Sequence, residues 1–137
     1  MNLIVGDYFK AESIFVQHSK MACELISWLR SKTYILACLQ EVQIQNGKAP
    51  LTVIRAVLTR WTAHYLAFSR LLELELPLHF LVTQDAIAPP GQQSLISPGS
   101  SAANRRKARE MVAIIKDISF WHSLARYDAY LTRDLEH

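Results

Sequence analysis

The stretch Thr59-Arg60-Trp61-Thr62-Ala63-His64 puts a guanidinium, an indole and an imidazole within five positions. An exposed tryptophan beside an arginine can stack on an unpaired base while the guanidinium holds the adjoining phosphate, and such stacking is worth about 1–3 kcal/mol per base. Trp61 also starts the series Trp61, Tyr65, Phe68, Leu72, whose steps of 4, 3 and 4 mark one face of a helix. From spacing alone the ordinary reading is that this stripe is core and Trp61 belongs to it. Arg60 and His64, at i and i+4, fall on a different face and are expected to be exposed.

The densest basic cluster is Asn104-Arg105-Arg106-Lys107-Ala108-Arg109. At helical spacing Arg105, Arg109 and Lys116 share a face, which can neutralise phosphates with a salt-dependent gain. An ordinary solvated face, with Glu110 nearby, reads equally well.

Other chemistry finds no pattern to stand on. Two-metal phosphoryl transfer needs clustered carboxylates holding ions about 4 Å apart. Glu73 and Glu75 are two apart on one helix and so do not face each other, and Asp7 and Glu12 are isolated. His18, Cys23, His64, His79 and His122 lack paired zinc-ligand spacing. Cys23 and Cys38 read as small core residues on adjacent helices. No nucleophile triad can be argued from residue order, and no glycine-rich phosphate loop exists among four glycines. No catalytic residue, metal ligand or cofactor site is therefore expected within the chain.

The elements that must carry these residues are helical. Ala11, Ile14, Phe15, Ala22, Leu25, Ile26 and Leu29 make a broad apolar face over 10–30, widened by Trp28. Ser31 is a candidate cap for a second helix through Val42 or slightly beyond, with Ile35, Cys38, Leu39 and Val42 inward. Asn46-Gly47 is a stop. The segment LTVIRAVL after Pro50 could alone pass for a strand. Thr59 can cap the central helix, and Pro77 either breaks that helix or starts the next, with Leu78, Leu81 and Val82 inward. Residues 86–101 hold three prolines, two glycines and four serines and read as a flexible or irregular loop. Ser100 or Ser101 can cap a basic helix to about Lys116. Asp117 can cap the last helix, along which Phe120, Leu124, Tyr127 and Leu131 form its stripe. Nothing alternates as a strand pair, so the expected class is all-α, an irregular bundle of five or six helices.

The chain has 137 residues, half of them apolar and 20% charged, a composition suited to one globular domain. Its net charge of +3 permits nucleic-acid contact without demanding it. No apolar run reaches the roughly 18 residues a membrane span needs, and the N-terminus lacks signal-peptide features. Two cysteines are too few for a disulfide scaffold and suit a reducing compartment. The terminal Leu135-Glu136-His137 reads as an expression-tag remnant. That leaves 1–134 as the expected domain, cut from a longer protein.

The run TRWTAHYLAFSRLLELE (59–75) resembles the Arg-Trp motif of hAT-family DNA transposases, particularly fungal members. The similarity begins at NLIVGDYFK (2–10), continues around Trp28-Leu29 and reaches Phe120-Trp121 after the basic helix. It thus spans nearly the whole chain apart from 86–101. Thr62-Ala63 stands where many plant and animal members have Asn-Ser. The resemblance implies a helical domain inserted into a ribonuclease-H-like fold. The three metal-binding acids would lie outside the chain, so any divalent metal belongs to the parent's catalytic core. It assigns Arg60 and Trp61 to DNA at the transposon end or flanking hairpin, with Trp61 stacking on a flipped base. His64, Arg105, Arg106 and Arg109 join them as candidate nucleic-acid contacts. The implied parent is nuclear and performs cut-and-paste transposition. An alternative is a domesticated piece acting in protein interaction or homodimerisation without DNA binding. The apolar excess, with a mean hydropathy of +0.08, favours association of this kind.

Overall fold

The computed structural model describes residues 2–54, 61–93, 95–96 and 100–136, with side chains excepted at 2–15, 61–65, 127–128 and 130–136. Among them are six helices and no strand: α1 (Asn2–Ser31), α2 (Thr33–Gln45), α3 (Trp61–Glu73), α4 (Glu75–Ile87), α5 (Ala102–Lys116) and α6 (Ile118–Glu136). The all-helical class and the helix number agree with the periodicity. The implied insertion into a ribonuclease-H-like fold concerns chain beyond these residues.

Helix α1, 30 residues long, is the hub, packing against α2, α3, α5 and α6. Helix α2 lies along α4, and α3 along α6. The core is one cluster in which Leu25, Leu29, Leu39, Phe68, Leu78, Met111, Ile115, Phe120 and Leu124 are almost wholly removed from water. Burying each such side chain is worth about 1.5–3 kcal/mol, so the stripes, more than intrinsic propensity, decide where the helices settle. Trp121 is also buried, and its indole N–H donates to the Ile115 carbonyl at 2.7 Å. The ring stands edge-on to Phe120, centroids 5.1 Å apart. Cys23 and Cys38 are free thiols, half-buried against the core on α1 and α2.

The helix ends show the capping chemistry. Ser101 caps α5 by accepting the Asn104 N–H at 3.2 Å, and Asp117 caps α6 by accepting the Ser119 N–H at 3.0 Å. At the end of α2, Lys48 N–H reaches Gln43 O and Gly47 N–H reaches Ile44 O, both at 3.0 Å. This Schellman arrangement needs a positive φ at the residue after the cap, supplied by Gly47 at +75°. Ser31 does not cap α2. Its hydroxyl turns back to the Trp28 carbonyl at 2.7 Å, and Lys32 takes the cap position without a side-chain hydrogen bond. Pro77 starts rather than breaks a helix: it is the third residue of α4, where a missing N–H costs no intrahelical bond. Helix α1 extends well before the expected residue 10. Thr59 lies outside the described residues.

The strand-like segment after Pro50 forms no ladder over 51–54. Val53 is buried, and Leu51 and Ile54 pack partly on the core. Helix side chains take the place of a neighbouring strand. The Gln43 amide accepts the Leu51 N–H at 2.8 Å and donates to the Leu51 carbonyl at 3.2 Å. Arg30 on α1 donates to Val53 O at 2.8 Å, and Arg70 on α3 to Thr52 O at 3.1 Å. Residues 55–58 lie outside the described set.

The Pro/Ser-rich loop begins after Ile87 and is irregular, as its composition indicates. It is also anchored. Leu95 is buried, and its N–H is held by Asp85 Oδ1 at 2.8 Å.

Candidate nucleic-acid interface

The six candidate contacts divide between two places. Trp61 is the first residue of α3, and His64 lies within its first turn. Their side chains and all of Arg60 lie outside the described residues, so where they point is not part of the observed geometry. Further along the same helix Phe68 is fully buried and Leu72 half-buried, so the described part of the stripe faces the core.

Arg105, Arg106 and Arg109 sit on α5. Ala108, Met111, Val112, Ile114 and Ile115 bury one side of that helix against α1, α4 and α6. At 100° per residue Arg105, Arg109 and Lys116 line one flank of the helix beside the buried Val112, and Arg106 points away from the core. Arg106, Arg109 and Lys116 are exposed, and Arg105 is partly so. No ion-pair partner lies within reach of Arg106, Arg109 or Lys116 among the described residues. Lys107 falls on the other flank and pairs with Glu24 of α1 at 3.7 Å. The helix therefore presents a row of cations whose positions are fixed by the apolar stripe beneath. Such a row suits a polyanion: each phosphate neutralised releases condensed counterions, and affinity then falls with salt.

Glu73 pairs with Arg70 at 3.4 Å and Glu75 lies 3.7 Å from His79, both on exposed helix surface. Among the described residues no three His, Cys, Asp or Glu side chains gather as a metal site, and no helix is long and apolar enough to cross a membrane. The Cys23 thiol is pushed above its ordinary pKa by burial.

Two features escaped the sequence. One is an open groove of about 630 Å³ between the α2–Leu51 connection and α4, lined by Leu51, Leu76, Pro77 and Phe80. Beside it the outer side of α4 exposes Leu76, Phe80 and Ile87. Their steps of 4 and 7 were legible as a second apolar stripe on α4. The other is a smaller cavity of about 260 Å³ where the α1–α2 junction meets the loop and α5. No family model, curated protein or solved structure matches the chain.

Proposed function

We propose that this chain is the DNA-contacting and scaffolding helical domain of a hAT-like transposase. Catalysis would belong to a parent protein whose metal-binding acids lie elsewhere, and the chain itself is not an enzyme in this reading. The parent would carry out cut-and-paste DNA transposition in the nucleus. The observation that carries the reading is the row Arg105, Arg109 and Lys116 along one flank of a helix whose buried side is locked in the core, with Arg106 pointing away from that core. Trp61, the first residue of a helix packed on α1 and α6 and preceded in the sequence by Arg60, supports it. Trp61 would stack on an unpaired base, Arg60 and His64 would hold backbone, and the α5 row would add phosphate contacts.

The test is fluorescence anisotropy with a hairpin-ended duplex, comparing wild type with Arg60→Ala and Trp61→Ala. The reading expects about tenfold weaker binding for Trp61→Ala, within the range for removing one base stack. Binding that is unchanged in both variants would count against it.

A second reading, a domesticated module for protein interaction or homodimerisation, is favoured by the exposed Leu76, Phe80 and Ile87 on α4. Contiguous exposed apolar surface of this kind marks association sites. Light scattering across a concentration series decides it: a mass that stays monomeric, together with DNA binding, excludes this alternative.

A further inference from the structure

The cavity at the α1–α2 junction has an apolar floor and one cation, Lys32, in its lining. Trp28, Leu95 and Ala108 form the floor, each with less than a tenth of its surface in water. Lys32, Tyr34 and Asn104 stand around the opening. Tyr34 is 64% exposed, far more than a ring serving the core needs. No carboxylate pairs with Lys32 among the described residues. On α5, Asn104 and Ala108 line the cavity, and Arg105 and Arg109 follow each by a single residue, about 100° further round the helix and outside the lining.

We infer that this cavity is a subsite for one unpaired nucleotide, with its base against the Tyr34 ring and its phosphate at Lys32. A space of about 260 Å³ holds a single base and is too small for a base pair with its sugars. An aromatic ring, an apolar floor and an amide at the rim match the flat face and polar edge of a base. The Lys32 ammonium matches the phosphate of that nucleotide, and the α5 arginines lie on the next flank of the helix, along which a strand would continue. Any of the bases has the required face, so the site selects a nucleotide rather than a sequence. This rests on the proposed DNA-contacting role of the α5 row and extends it to a second element, the start of α2.

The test uses the full chain and two fluorescein-labelled 12-mers, one of thymidine and one wholly abasic, at low salt. Tyr34→Ala should bind the thymidine strand about tenfold more weakly and the abasic strand as wild type does, and Tyr34→Phe should retain the wild-type affinity. Circular dichroism checks that each variant is folded. Thymidine monophosphate serves as competitor. Displacement by it would make free nucleotide a sufficient ligand, and failure to displace would make the ligand part of a strand; either supports the site when Tyr34→Ala is weak. If Tyr34→Ala equals wild type on both strands, or loses equally on both, the subsite is overturned. If in addition Arg106→Ala/Arg109→Ala still weakens binding, the proposed function stands without it. If wild type binds neither strand nor a hairpin-ended duplex, both fall.

Discussion

Asp85 on α4 and Leu95 in the connecting loop are joined by a hydrogen bond of 2.8 Å from the Leu95 N–H to the carboxylate. Both residues are buried. Through this bond α4, which contributes no residue to the cavity lining, holds Leu95, which does. Asp85→Ala would leave the Leu95 N–H buried without that partner, at a cost of about 1–3 kcal/mol. Urea denaturation should show the loss as a lower midpoint with an unchanged slope.

Gln43 does for the 51–54 segment what a neighbouring strand would do. Gln43→Ala removes both of its bonds to Leu51 and should lower stability by about 1–3 kcal/mol in the same assay. Ile44→Ala, one position on and 59% exposed, should stay within about 0.5 kcal/mol of wild type.

Ser123 is buried on α6, and its hydroxyl has no hydrogen-bond partner among the described residues. Ser123→Ala removes a desolvated polar group without leaving another unpaired. It should raise stability by up to about 1 kcal/mol, read as an increase in Tm. A decrease would mean that the hydroxyl is satisfied in solution.

Burial raises the pKa of the Cys23 thiol above its ordinary value of 9.0. A folded-state pKa above the unfolded one gives stability that is fully present below the unfolded value. That stability is lost as pH rises through the folded value. Stability should therefore fall on the alkaline side of about pH 9. Cys23→Ala should flatten that part of the profile, as measured by thermal melts from pH 7 to 10.

The helices were legible because their apolar positions recur at helical spacing: Leu78, Leu81 and Val82 on α4, and Phe120 and Leu124 on α6, are buried as that spacing requires. Ser101, Asp117 and Asn46-Gly47 were readable because end chemistry is local. Ser31 misled for the same reason that serine caps at all: its short hydroxyl bonds whichever backbone group is nearest, here the Trp28 carbonyl. The ties on 51–53 were invisible. Arg30, Gln43 and Arg70 reach residues 8 to 23 positions away, and such bonds leave no periodic trace. Of the candidate interface, the α5 row could be read from spacing. The Tyr34 cavity could not, because it is assembled from the α1–α2 junction, the loop and α5.

The α5 row tests the central claim most directly, through the salt dependence of hairpin-ended DNA binding by wild type and by Arg106→Ala/Arg109→Ala. A DNA-contacting role predicts a linear fall of log affinity with log salt for wild type. The double variant should have a slope shallower by about 2, near 1 for each arginine that no longer neutralises a phosphate. It should also keep wild-type stability, because both arginines are exposed. Identical slopes for the two proteins, or no binding by wild type at low salt, would contradict it.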